Sequence, residues 1–257
     1  MLNFAESVQN ARTGRTHVFS LGQAGFLIKS ASGKLLGIDL YLSDCVERVE
    51  GHVGYKRLLP RLLEPGELVF DVLIASHFHR DHFDVDSMSA LMANGHTRLF
   101  AARDCADDVR ALKLPEERVT FVRPGSSAQL EGFCLDFINC DHGTGAPEAV
   151  GVIVTADGKR ILETGDTCLR TDRVREYLSA GPLDLMIAPI NGAYGNLNEA
   201  DCAALAEALR PALTVPCHYG MFASHGGDPG LFHTLMSEKN LPYLLMAMGE
   251  SFSFQGE

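Results

Sequence analysis

Apolar residues fall along this chain in short runs, each set off by Gly, Pro, Asn or Asp. Runs at His17–Leu21, Ala24–Ser30 and Lys34–Asp39, joined by Gly22-Gln23 and Ala31-Ser32-Gly33, predict hairpin-connected strands. The stretch from Tyr41 to Leu68 has no clean periodicity and is long for a connection, which marks it as a functional loop. Strands at Val72–Ala75, Leu99–Ala101 and Val119–Val122 then alternate with helical patterns at Val85–Asn94 and Asp104–Leu114.

The second half repeats the plan. Strands are expected at Ala128–Leu130, Phe133–Asn139, Ala149–Thr155, Arg160–Thr164, Leu185–Ala188 and Leu213–Pro216, and again at Tyr243–Ala247 and Ser251–Phe254. Helices are expected at Asp172–Ser179, Glu199–Leu209 and Pro229–Lys239. Strand-first halves that each end in β-α-β units predict an α+β protein with two mixed sheets and helices on their outer faces. No Pro/Gly/Ser-rich linker interrupts the pattern, so residues 1–257 read as a single domain of pseudo-duplicated halves.

Composition narrows the function. At 257 residues the chain is long enough to bury a large core, and its 46% hydrophobic and 21% charged residues are ordinary for a globular protein. A formal charge of -11 argues against nucleic acid or an anionic membrane as partner. Met1 to Thr16 lacks the apolar stretch of a secretory signal, and no run reaches the roughly 20 apolar residues of a spanning helix. Seven scattered cysteines, without a C-x-x-C pair, suit reduced thiols and a cytoplasmic setting.

The chemistry concentrates in Ser76-His77-Phe78-His79-Arg80-Asp81-His82, which follows the apolar run Asp71–Ala75. Imidazole nitrogen and carboxylate oxygen are ligands for Zn²⁺, Mn²⁺ and Fe²⁺. In an extended segment H-x-H sends both rings to one side, and Asp81-His82, where the chain turns, faces a second position. Three further positions lie just past apolar runs, where open-sheet proteins gather their ligand sites: Asp141-His142-Gly143, Gly165-Asp166 and Cys217-His218. Singly, each also suits a turn, a helix cap or a hydrogen-bonded core histidine. After the 77–82 loop they complete a list of two cation sites sharing one carboxylate.

His77-x-His79-x-Asp81-His82, then His142, Gly165-Asp166 and His218, in this order from about Leu21 to Phe254, resembles the metallo-β-lactamase superfamily of metal-dependent hydrolases. The resemblance implies a four-layer αββα sandwich with its metal site at one edge. It implies His77, His79 and His142 on one cation, Asp81, His82 and His218 on a second, and Asp166 bridging. Leu21–Phe26, Gly37-Ile38-Asp39, Pro189–Gly192 and Pro216–Phe222 resemble the branch containing L-ascorbate-6-phosphate lactonases. The chain departs from that lactonase type, which is longer at both ends.

The resemblance implies hydrolysis of a phosphorylated sugar-acid lactone with one or two divalent cations, Zn²⁺, Mn²⁺ or Fe²⁺, as cofactor. Such a cation lowers the pKa of its water to roughly 7, so that hydroxide oriented by Asp81 or Asp166 attacks the carbonyl. A small anionic substrate needs a cationic anchor, for which Lys56, Arg57, Arg61 and Arg80 are candidates. Lys56, Arg57 and Arg61 equally suit a solvated face. Asn191, Tyr194 and Asn196 are placed for substrate hydroxyls, or for plain turn chemistry, and His225 for the pocket or the surface. Asp39 supports the ligand loop by hydrogen bonds. Alternatives are a phosphodiesterase and a non-catalytic metal-binding metabolite sensor, and a homo-oligomer is compatible with either.

Overall fold

The computed structural model describes residues 3–254. Helix α1 (Phe4–Asn10) leads into the antiparallel strands β1 (His17–Gly22), β2 (Gly25–Lys29) and β3 (Leu35–Ile38). Helix α2 (Cys45–Glu50) is followed by β4 (Val72–Ala75), α3 (Met88–Met92), β5 (Arg98–Ala102), α4 (Ala106–Ala111) and β6 (Val119–Val122), with β3 to β6 parallel. The second sheet also begins antiparallel, with β7 (Ser127–Leu130), β8 (Phe133–Asn139), β9 (Val150–Ala156) and β10 (Lys159–Glu163). It continues parallel through α5 (Val174–Tyr177), β11 (Leu185–Pro189), α6 (Glu199–Leu209) and β12 (Thr214–Cys217). After α7 (Pro229–Glu238), β13 (Ser251–Ser253) returns to the first sheet beside β1. The spatial orders are β13-β1-β2-β3-β4-β5-β6 and β12-β11-β10-β9-β8-β7.

Side-chain alternation builds the layers. Along β10 and β11, Ile161, Leu185 and Ile187 enter the core between the sheets, whereas Leu162, Met186 and Ala188 face the opposite way. That outer face packs on Tyr177 of α5, Cys202 and Leu205 of α6, and Phe232 and Met236 of α7. The inter-sheet core includes Phe100 of β5 and Phe137 of β8, whose rings stack at 6.1 Å between centroids. The expected sandwich of two mixed sheets flanked by helices is therefore the observed fold. Among the described residues no helix is long and apolar enough to cross a membrane.

Local chemistry explains where the elements stop. An Asn198–Asp201 capping box opens α6, and Asp228 caps α7 with Pro229 at its first position. The expected helices at Val85–Asn94 and Asp104–Leu114 shrink to α3 and α4. Before α3, the Asp84 carboxylate accepts the Asp86 and Ser87 N–H groups at 3.0 and 3.2 Å and holds that stretch as a turn. After α4, Lys113 takes a left-handed φ of 52°. The strand expected at Tyr243–Ala247 does not form. Tyr243 makes a single bridge to Thr214, and the chain then turns through the Glu250 N–H to Ala247 carbonyl bond. Conversely α1, with its Asn3–Glu6 capping box, and α2 lie where no helix was expected.

The strand directions gather one edge of both sheets. The segments after β3, β4, β8, β10 and β12, and the β1–β2 turn, all emerge there. One glycine is required by this convergence: a Cβ on Gly151 would stand 2.9 Å from the Thr164 carbonyl, just before the Asp166 loop. The Phe100–Phe137 contact ties the two sheets together beneath that edge. Phe100→Ala is expected to lower unfolding stability by about 3–5 kcal/mol in urea titration; a loss below 1 kcal/mol would show that the sheets do not depend on it.

Candidate metal centre

Three ring nitrogens meet at the end of β4 and β8. His77 Nε2 lies 2.9 Å from His79 Nδ1, and His142 Nε2 lies 3.1 Å from the same atom. Burial pushes all three rings toward the neutral form: His77 well below the usual imidazole range, His79 downward, and His142 to about 4. Neutral imidazoles present lone pairs, which crowd one another unless a proton or cation lies between them. Donors on a tetrahedral zinc, bound at about 2.0–2.1 Å, stand about 3.3 Å apart, close to this spacing.

A second group forms beside it. His218 Nε2 is 3.2 Å from both Asp81 Oδ2 and His82 Nε2. Asp166 Oδ2 stands between the groups, 3.1 Å from His218 Nε2, 3.3 Å from His82 Nε2 and 3.9 Å from His142 Nε2. Burial would raise both carboxyls, but the His82 and His218 imidazoles outweigh it and hold Asp81 and Asp166 well below the usual range. The same carboxylates outweigh burial at the rings, raising His82 well above its ordinary value and His218 to about 9. All seven side chains thus fall into groups able to hold a metal: His77, His79 and His142; His77, His82 and Asp166; Asp81, His82 and His218. The nitrogen and oxygen donors fit Zn²⁺, Mn²⁺ or Fe²⁺ alike.

Neighbouring groups orient the donors. Asp39, fully buried, accepts from His82 Nδ1 at 2.7 Å, from Ser76 Oγ at 2.6 Å and from the Ser76 N–H at 2.7 Å. Asp141 points away from the cluster. It pairs with Arg170 at 2.7 Å and Arg173 at 2.9 Å, while its N–H donates to Thr167 Oγ1, so it joins the His142 loop to the Asp166 loop. Gln23, which reads as a turn residue in the sequence, donates through Nε2 to Asp81 Oδ2 at 2.8 Å and touches His218 and His225. Among the described residues eight non-glycine residues have positive φ, and four of them are Gln23, Asp39, Tyr194 and His218. Each such conformation costs on the order of 1 kcal/mol, and their concentration here follows the tendency of strain to collect at working sites.

The cluster floors a cavity of about 690 Å³. Arg80, Tyr194 and His225 line it, together with Glu50, Val49 and Tyr55 from the long 41–68 stretch. His225 stacks on His218 at 4.9 Å, and burial lowers it to about 4. Two expected substrate contacts are corrected. Arg57 is absent from the lining: its guanidinium is turned onto the Ser43 and Tyr41 carbonyls at 3.1 and 2.6 Å and covers the Tyr41 ring. Asn191 is buried behind the wall, accepting from Asn196 Nδ2 at 3.2 Å. Arg80 faces the cavity but donates to Asp108 Oδ2 at 2.6 Å. Lys56 and Arg61 also lie outside the lining.

Residues 41–219 match the Beta-lactamase superfamily domain. A UPF0173 metal-dependent hydrolase of Polynucleobacter asymbioticus is 25% identical, with 94% of this chain and 87% of that protein aligned. Among solved structures, the metallo hydrolase Igni18 of Ignicoccus hospitalis superposes with a TM-score of 0.73 at 21% identity, covering 94% of this chain and 99% of that one. An isothiocyanate hydrolase from Delia radicum gut bacteria gives 0.70 at 18% identity, covering 94% and 100%. The solved structures are similar in fold.

The shifted histidines set a pH dependence for the metal-free protein. With native values of about 4, against about 6.5 unfolded, His142 and His225 leave the unfolded chain binding more protons between these limits. Stability therefore falls as pH drops from 6.5 toward 4. His218 acts oppositely: its contribution is full below 6.5 and lost as pH rises through about 9. Thermal midpoints measured in chelator should peak between these windows, and a flat profile from pH 4 to 6.5 would contradict the burial argument.

Proposed function

Because the chain belongs to the beta-lactamase superfamily, we propose that it is a metal-dependent hydrolase that opens a carboxylic ester, most specifically a lactone. The observation that carries this reading is the convergence of His77, His79, Asp81, His82, His142, Asp166 and His218, five of which (His79, Asp81, His142, Asp166 and His218) line the cavity while His77 and His82 lie buried beneath. Their donor set fits one or two divalent cations, with His77, His79 and His142 on one side, Asp81, His82 and His218 on the other, and Asp166 between. Bound there, such cations supply Lewis acidity toward a carbonyl oxygen and water that ionises near neutral pH. The resemblance of Leu21–Phe26 and Pro216–Phe222 to the lactonase branch supports the ester class.

The chain's own residues do the rest. Asp81 Oδ2, steadied by the Gln23 amide, and Asp166 Oδ2 are the carboxylate atoms placed to orient the attacking water and accept its proton. The oxygen of that water ends on the carbonyl carbon, the acyl C–O bond breaks, and the proton passes to the departing alkoxide. Tyr194 and His225, on the cavity wall, position the substrate. A phosphodiester reading finds less support, because among the described residues the only guanidinium lining the cavity, that of Arg80, is already paired with Asp108. The free thiols of all seven cysteines favour a reducing, cytoplasmic setting.

His79→Ala and Asp166→Ala should each lose bound metal, measured by elemental analysis, and lower lactone kcat/KM by more than about a hundredfold. Turnover that survives chelation and dialysis would rule the mechanism out. Asp39→Ala leaves every donor in place but frees His82, so metal affinity or activity should fall about 10- to 100-fold; an unchanged affinity would show that His82 needs no orienting carboxylate.

A further inference from the structure

The wall above the donor cluster is chemically one-sided. Phe78 lines the cavity beside the His142 loop, packed on Cys140, Ala146 and Ala149, and Val46, Val49, Tyr55 and Tyr194 form an apolar and aromatic face. It is anchored from behind, because Val46 belongs to a buried cluster with Tyr41, Cys45, Met221 and Phe222, against which Tyr55 packs. The Tyr55 and Tyr194 hydroxyls meet at 2.8 Å and join the 41–68 stretch to the loop after β11. Val49 and Tyr194 keep 46% and 56% of their surface exposed, so apolar area is left at the mouth for a ligand to cover.

Charge points the same way. Among the described residues no lysine lines the cavity, and its one arginine, Arg80, is held by Asp108 at 2.6 Å and the Phe78 carbonyl at 3.3 Å. The Glu50 carboxylate lines the same cavity. Away from the donor cluster, an anionic substituent would meet a carboxylate and no free cationic side chain, whereas an alkyl or aryl group would meet a preformed apolar wall.

We propose that the substrate is a neutral ester or lactone bearing an apolar substituent, which packs against Val49, Phe78 and the Tyr55–Tyr194 pair. This rests on the ester-hydrolase reading and fixes its substrate class; it replaces the phosphorylated sugar acid expected from the sequence. Each methylene covered by the wall is worth about three- to fourfold in binding.

The test uses the full-length, metal-loaded protein in two arms. Calorimetry follows 2-alkylcyclopentanones, neutral lactone mimics that cannot be hydrolysed, with substituents of increasing length. Kinetics compares γ-alkyl lactones with a phosphorylated lactone of similar size. Affinity and kcat/KM should both rise about three- to fourfold per methylene over the first few carbons, and Val49→Asp should flatten that rise. Affinity independent of chain length, or a higher kcat/KM for the phosphorylated lactone, would overturn the proposal. Length-dependent binding without turnover of any lactone would support the pocket assignment and sink the ester-hydrolase reading instead.

Discussion

Asp39 is the carboxylate on which the geometry of the site turns. It directly follows β3 in a left-handed conformation, wholly buried, and its two oxygens gather Ser76 and His82. Ser76 opens the ligand loop and His82 closes it, so one side chain fixes both ends of the segment that carries four of the seven donors. A carboxylate on the far nitrogen of a ligating histidine also sets which ring nitrogen faces the cation. The remaining donors come from the second sheet, and their approach depends on how closely β9 and β10 pack at Gly151.

Much of this was legible in the amino-acid sequence, for physical reasons. The strands β4, β6 and β8 have the ends that the sequence predicts, because each is an apolar or alternating run bounded by turn residues. The donors stood out because histidine and aspartate past a strand end have few structural uses in such number. What failed was longer-range. Helices α3 and α4 came out short because a side-chain carboxylate and a left-handed residue stop them, and neither changes hydrophobic period. Arg57 carried a plausible charge for an anion, yet its donors were taken by carbonyls close in space, which no spacing rule reveals. Gln23 carries no signal in the sequence, because its role depends on a hairpin turn facing His218 across the molecule.

The two halves of the cluster differ electrically although they touch. The His77, His79 and His142 rings are driven neutral by burial, whereas His82 and His218 are held toward the charged form by carboxylates. One half therefore offers lone pairs, and the other holds protons that a cation would displace. The wall facing them is apolar and bears an acid, consistent with a chain whose net charge is -11.

The return of β13 to β1 has a consequence for how the protein is made. β1 is synthesised before every other described strand, but its outer neighbour β13 follows them all, with the whole second sheet intervening. Until then the outer edge of β1 offers unpaired backbone groups to any passing chain. Closing that gap is a contact between residues far apart in sequence, the kind that forms slowly. A nascent chain that has not yet reached β13 is thus left with a raw edge on β1 that only this strand seals.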